Sequence, residues 1–493
     1  MADRIGEEYI IPTLGVWEHF DDIDFDLLPE QFVLKVKDKS KLDKPSAKHK
    51  LERCLKRNYC YIDREWPYKN VPPCTIAEQY KEKFMKFLLL GANFFNKGAQ
   101  AMLFVSVSEL RTRFPDAEIF FLTSEPLQSG FNFKYFYNEL GWQYLKGCKS
   151  FLRAIARVVY WKIRGRKISL KGMKAFIKEV STIDAFVDIS GYALSSQRGE
   201  KRSRSYLDQI KIAKKFDIPY FIMPQSIGPF EYDNHLDQME RLLKTYLAYP
   251  AVIFPREEAG YKLLVDKYHL SNIKRSYDMV LQNKGIREEL IFTSAQQFTC
   301  PEVKEGTVAI VPNMRNFDYK STDQIVRIYN LIVEELQRYG KKIYLLRHSK
   351  EDMEACQLIF ESLANQVGVK IISEDLNCIQ FNEVISKFDY IIASRYHSIV
   401  QSYKNTVPAI VLGWAAKYHE LLGMFEQERF MFDVRGTINA DGIRNAIQDM
   451  DKNWKIERMK IHSLLNNYQN ENCFDVISDY FNVIKACDIR KWD

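Results

Sequence analysis

The chain has 493 residues, 46% apolar and 27% charged, with 71 Lys and Arg against 64 Asp and Glu for a net charge of +7. This composition excludes a disordered or collagen-like chain, and the length predicts about two to four domains. The mild positive charge suits an anionic substrate or membrane surface; with no basic stripe on a nucleic-acid fold, nucleic acid is not expected as a partner.

Residues 1–83 lack a clean hydrophobic period. Asp21, Asp22, Asp24 and Asp26 crowd one end, Lys35 to Lys56 is rich in Lys and Arg, and Pro67, Pro72 and Pro73 read as loop. A small appended unit is the simplest reading. From Lys86 onward, short apolar runs alternate with helix-length segments. The runs are Phe87–Leu90 and those at 119–124, 185–190, 219–224 and 251–256. After about 300 they continue at 308–313, 342–348, 369–373, 390–394 and 409–414. Such runs, rich in Val, Ile, Phe and Leu, indicate parallel strands buried on both faces. Two series predict an α/β chain with two Rossmann-like domains, at 84–300 and 301–440. Residues 441–493 read as a helical tail.

In sheets of this kind ligands sit beyond the carboxyl ends of the strands, and the polar motifs fall there. The loop Gly91 to Gln100, which contains Asn96, follows a strand and opens a helix, so it can offer N–H groups to an anion. The competing reading is an ordinary βα turn. Asp188 closes a strand and could orient a hydroxyl or act as a base, or simply form a turn. Gln225 and Ser226 stand in a loop stiffened by Pro224 and Pro229, as hydrogen-bonding groups or as a connector. Arg256 ends another strand, free to hold a carboxylate or phosphate or paired with Glu257 or Glu258 at little gain. Arg395 and His397 supply a cation and a proton donor at one strand end. Lys417 follows the next strand and is expected to approach from the same side.

Between Lys149 and Lys178 the chain carries Arg153, Arg157, Lys162, Arg164, Arg166, Lys167 and Lys171 and no acid, interleaved with Phe151, Leu152, Ile155, Val158, Tyr160 and Trp161. This is either a basic amphipathic segment resting on anionic lipid or a solvated helix face. The nine Cys form no C-x-x-C pair, which fits free thiols in a reducing compartment and no metal site. The N-terminus has no apolar signal core, and no uncharged apolar stretch reaches about 18 residues. A cytoplasmic location is expected, with peripheral contact at the inner face of the membrane through residues 149–178.

From about 86 to 430 an ordered series stands out: GANFFNKGAQAML, DISGYALSS, PQSIGPF, FPREEAGYKLL, SYDMVLQ, LLRHSKED, ASRYHSIVQSYKNTVPAIVLGW and AAKYHELLG. In order and spacing this series resembles the polysaccharide pyruvyl transferase family. The resemblance implies a GT-B-like fold, two Rossmann-like domains around a cleft. It implies transfer of a pyruvyl group from phosphoenolpyruvate onto two sugar hydroxyls as a ketal, on a sugar or lipid-linked oligosaccharide, with no cofactor beyond the donor. Arg256 and the Arg395/His397 pair match family positions that contribute to phosphoenolpyruvate binding. The first loop departs from the commoner N-x-G-D-E form, reading Asn96-Lys97-Gly98-Ala99-Gln100, so its acid is absent.

The segments YIIPTLGVWEHFDDIDFDLLPEQFVLK and REWPYKNVPPCTIAEQY resemble the start of TupA-like ATP-grasp proteins. The Gly/His-rich stretch and everything after Tyr80 are missing. Residues 1–83 therefore read as a truncated remnant that should bind no ATP.

On this reading His397 acts as acid or phosphate ligand and Asp188 orients or deprotonates the acceptor, while Arg256, Arg395, Lys417, Asn96, Gln225 and Ser226 bind substrate. Two other readings stay open. A GT-B glycosyltransferase would bind UDP or GDP in the same cationic cleft. A non-catalytic scaffold of a polysaccharide assembly complex would show no turnover.

Overall fold

The structure is a computed structural model. It describes residues 84–489 apart from 125–126, 128, 138–139, 148–151, 153–154, 156–172, 233–235 and 437–438, together with four short strands between residues 3 and 62. The basic segment at 149–178 therefore lies outside the described residues, except for Leu152, Ile155 and the start of the helix Met173–Val180. Among the described residues no helix is long and apolar enough to cross a membrane.

The four short strands, β1 (Asp3–Ile5), β2 (Glu8–Ile10), β3 (Val33–Leu34) and β4 (Tyr61–Ile62), form one sheet in that order. The β1/β2 pair is antiparallel and the others are parallel. The chain divides into two compact units, one of residues 1–84 with 474–493 and one of residues 85–473.

The larger unit contains two six-stranded parallel sheets. The first comprises β5 (Lys86–Leu90), β6 (Glu118–Thr123), β7 (Lys134–Tyr137), β8 (Ala185–Asp188), β9 (Tyr220–Gln225) and β10 (Val252–Pro255) in the order β10-β9-β8-β5-β6-β7. The second comprises β11 (Thr307–Val311), β12 (Lys342–Leu346), β13 (Val369–Ile372), β14 (Tyr390–Ala393), β15 (Ala409–Gly413) and β16 (Met431–Asp433) in the order β13-β12-β11-β14-β15-β16. Each is the 3-2-1-4-5-6 order of a doubly wound Rossmann sheet. Two such halves give the GT-B-like architecture. Strand order reverses between β5 and β8 in one sheet, where Leu90 pairs Asp188. It reverses between β11 and β14 in the other, where Val311 pairs Ala393. Chain leaving these strand ends is free of the ladder, so both crevices open there.

The central strands are apolar on both faces because helices cover both. Leu88, Phe186 and Ile222 lie in one core, and Val308, Ile310 and Ile392 in the other. Helix α1 (Lys97–Arg113) is buried almost all round, as a helix packed on several sides must be. It touches the helices at 279–282, 378–385 and 396–404. The loops at the ends of β5 and β12 lock together: Lys97 N donates to His348 O at 3.0 Å, and Lys350 N to Phe95 O at 3.0 Å. The long helix Ala440–Gln469 buries Ile443, Ile447 and Met450 against the second sheet. It therefore belongs to the larger unit, and only Phe474 onward groups with the N-terminal residues.

Candidate functional site

A pocket of about 190 Å³ opens between the two sheets, lined in part by Arg256, Glu257, Asp278, Tyr396, Lys417 and Glu420. Arg256 follows β10 directly, and its side chain is 4% exposed. Its guanidinium pairs Asp278 and donates through Nη2 to Gly191 O at 3.1 Å and to Ser226 Oγ at 2.8 Å. It also lies 4.6 Å from the Tyr396 ring centre. Asp278 caps the short helix Met279–Gln282, accepting from Val280 N at 2.9 Å. Burial alone would raise the Asp278 carboxyl, but His397 and Arg256 outweigh it and hold it below the usual carboxylate range.

His397 lies in the first turn of α2 (Tyr396–Lys404), which begins immediately after Arg395. Its Nε2 stands 3.3 Å from Asp278 Oδ2. That is ion-pair distance, and the buried Nε2 makes no hydrogen bond of good geometry. Arg395 behaves differently from Arg256. Its fork is filled by Asp352, with Nε donating at 2.8 Å, and by Glu351 at 2.6 Å. Asp352 is fully buried, so this pair fixes the turn after β14 and leaves no open fork.

Lys417 lies in the first turn of α3 (Ala416–Gly423). Its ammonium sits 5.2, 5.4 and 5.6 Å from the ring centres of Tyr192, Tyr396 and Tyr418. The pocket holds three cations and three carboxylates, so pairing decides its preference. Asp278 serves Arg256 and His397, Glu420 accepts from Glu258 N and Arg275, and Glu257 accepts from Ser226 Oγ. Among the described residues Lys417 has no ion-pair or hydrogen-bond partner. Burial, with the nearby charges of Arg256, Arg198 and Arg395 against the favourable Glu257, lowers its pKa to about 8. An anion would relieve that cost.

Other expected site residues lie elsewhere. The N-terminus of α1 offers no free N–H groups. Lys97 N goes to His348 O and Gln100 N to Asn96 O, while Asn96 Oδ1 accepts from Gly98 and Ala99 at 2.8 and 3.3 Å. Asn96 Oδ1, expected to meet substrate, is therefore spent on capping the helix. Gln100, which stands where the acid of the commoner loop would be, accepts from Cys378 N at 2.7 Å. Asp188 is also not placed to act as a base. It is fully buried and holds Ser190, Tyr206 and Gln225 through its two oxygens. Gln225 is equally buried and spends its amide on Asp188 and Tyr206. Both position the loops after β8 and β9. Ser226 stays beside the pocket, bridging Arg256 and Glu257.

Sequence reasoning missed Asp278, Tyr396, Tyr192 and Asp352 as site residues. All four lie within quoted motifs, but nothing in their local spacing shows that they converge on Arg256, Arg395, His397 and Lys417.

The family model described as polysaccharide pyruvyl transferase matches residues 96–415. The model described as TupA-like ATPgrasp matches residues 1–141, past the point where the motifs end and over the start of the first match. No curated protein matches the chain. Among solved structures, a Medicago truncatula protein complexed with UDP-glucose is 11% identical with a TM-score of 0.48, covering 82% of this chain and 98% of its own. The UDP-GlcNAc 2-epimerase from Methanocaldococcus jannaschii is 12% identical with a TM-score of 0.45, covering 74% and 92%.

Proposed function

We propose, from the premise that this chain belongs to the polysaccharide pyruvyl transferase family, that its cleft transfers a pyruvyl group from phosphoenolpyruvate to two hydroxyls of a sugar, as a ketal. The observation that supports this most directly is Lys417: a partly buried ammonium with no carboxylate partner, among the charges of Arg256, Arg198 and Arg395. Phosphoenolpyruvate brings a carboxylate and a phosphate to such a place.

The reaction needs one proton delivered and two removed. A proton added to the methylene carbon turns it into a methyl group and leaves an oxocarbenium-like centre at the neighbouring carbon. The first sugar hydroxyl attacks that carbon and loses its proton. The carbon–oxygen bond to phosphate then breaks, and the second hydroxyl closes the ketal. Of the two hydroxyl protons, one balances the methyl group and the other leaves on inorganic phosphate. His397, with Nε2 unpartnered and its ring held by Asp278, is the proton carrier. Arg256 and Lys417 stabilise the departing phosphate as fixed cations. Arg395 contributes by holding the turn that carries His397, its fork being occupied by Asp352 and Glu351.

Calorimetric titration with phosphoenolpyruvate, UDP and ATP tests this reading. Phosphoenolpyruvate is expected to bind and to lose that binding in Lys417→Ala. UDP binding without a phosphoenolpyruvate signal would move the protein to the glycosyltransferases. Lys417 also sets a pH dependence. Its ammonium is present below about 8 and lost above, so phosphoenolpyruvate affinity falls as pH rises through that value. Lys417→Arg, charged throughout, is expected to flatten the fall. Constant affinity across this range in the wild type would remove Lys417 from the site.

Arg395→Ala is expected to cost far more turnover than Lys97→Ala, because Arg395 ties down the turn that carries His397, whereas Lys97 pairs the exposed Asp375. Denaturation curves of both variants separate lost chemistry from the instability of an unpaired Asp352. Equal losses of turnover would sink the assignment.

A further inference from the structure

A row of aromatic rings leads from the cations to the surface, and the donor reading leaves its outer end unused. Tyr396, beside Arg256, is 6.1 Å from Tyr418 between ring centres; Tyr418 is 5.5 Å from Trp414, and Trp414 is 5.5 Å from Tyr319. The last ring is 45% exposed. Trp414 follows β15, and Tyr319 follows the short 3-10 helix Met314–Asp318 beyond β11, so both stand at strand ends of the second sheet. Tyr192 comes from the loop after β8 in the first sheet. Its hydroxyl donates to Gln197 at 2.7 Å; burial raises its pKa against the nearby Arg198 charge, and Tyr319 stands close by. The Arg198 guanidinium lies 5.8 Å from the Tyr192 ring centre. Among the described residues it has no ion pair or hydrogen bond, and the charges of Arg202 and Arg315 stand close to it.

We propose that Tyr319, Trp414 and Tyr192, with Arg198 at their edge, form the acceptor subsite, and that the acceptor is a glycosyl phosphate. A sugar ring has an apolar C–H face and polar edges. Aromatic faces suit the first and leave the hydroxyls free to react. An unpaired, exposed guanidinium beside such a platform suits a phosphate, which it can hold bidentately; a neutral sugar gives it nothing to pair. Lys417 stands between Tyr192 and the inner end of the row, so a sugar on this platform lies next to the donor cations. The anomeric phosphate of a nucleotide-linked and of a lipid-linked sugar is the same chemistry here. The substrate class rests on the pyruvyl-transfer reading, but binding at the subsite needs no donor.

Saturation-transfer NMR on the full chain, with glucose 1-phosphate and methyl glucoside as probes, tests the subsite. Tyr319→Ala and Arg198→Ala alter exposed side chains, and phosphoenolpyruvate calorimetry is run on each as a control for the donor site. The ring protons of glucose 1-phosphate are expected to receive saturation in the wild type and to lose most of it in Tyr319→Ala. Arg198→Ala is expected to weaken glucose 1-phosphate about tenfold, the scale of a lost charge-assisted pair, and to leave methyl glucoside unchanged. UDP-glucose and farnesyl diphosphoglucose, compared in the same way, tell the nucleotide-linked source from the lipid-linked one. Glucose 1-phosphate binding no tighter than methyl glucoside, or binding unchanged in both variants, overturns the proposal. Absent phosphoenolpyruvate binding in the wild type, with sugar-phosphate binding intact, overturns the donor reading alone.

Discussion

Arg256→Ala is expected to reduce turnover on the order of 100- to 1,000-fold, the usual loss for a fixed electrostatic donor, and to destabilise the fold as well. Asp278, with its side chain 1% exposed, pairs Arg256 and faces His397. Removing the guanidinium leaves that carboxylate buried with only the histidine beside it. Breaking a buried pair from one side typically costs about 3–5 kcal/mol. Because the Asp278 carboxyl is held below its usual range, the stabilisation is present above the ordinary carboxylate range and is lost as pH falls through the lowered value. Arg256→Lys separates the two effects. It keeps a positive charge for Asp278 but loses the fork to Gly191 O and Ser226 Oγ. It should therefore fold closer to wild type and still turn over slowly. Steady-state rates and denaturant unfolding of both variants measure this. A folded Arg256→Ala with a near-normal rate would show that the guanidinium is structural only.

Gly98→Ala carries the second large effect, through a contact invisible in the sequence. A Cβ on Gly98 would lie 2.4 Å from His397 Cγ and 2.5 Å from its Cβ and Nδ1. These atoms are near the backbone of α2, so the ring cannot yield by swinging its far end. Either His397 moves away from Asp278 or α1 shifts. At an unobstructed helix position the same change would stabilise by about 1 kcal/mol, so the clash and the helix preference oppose each other. The expected result is a folded protein with kcat reduced about 100-fold, the scale for an ångström of misplacement at a reacting group. Phosphoenolpyruvate affinity should change much less, because Arg256 and Lys417 are untouched. An unchanged kcat would mean that the position of the His397 ring is not needed for the chemistry.

Much of the fold could be read from the chain. Ten apolar runs were expected as strands, and all ten coincide with strands of the two parallel sheets. Central strands must be apolar on both faces, and that leaves a continuous signal. The two strands that lack an apolar run, β7 and β16, are each one of the two edges of their sheet. β7 is almost wholly exposed and β16 only half-buried. An edge strand has one neighbour and needs no apolar run, so it resembles loop.

Local patterning along the chain sets the α/β class, the two-sheet series, and the placement of Arg256, Arg395, His397 and Lys417 at strand ends. Each of these depends on local patterning, because a parallel strand is apolar along its length and turns polar where it leaves the sheet. The tertiary structure decided which of those groups remain available. Arg395 meets Asp352, Asn96 caps its own helix, Asp188 is enclosed by Ser190, Tyr206 and Gln225, and Lys417 is left without a partner. Apart from the Asn96 cap and the Asp188–Ser190 contact, these outcomes depend on pairings between residues far apart in the chain. A charged residue reads the same in sequence whether its partner is a buried carboxylate or a substrate, and only the packing of the two sheets tells the cases apart.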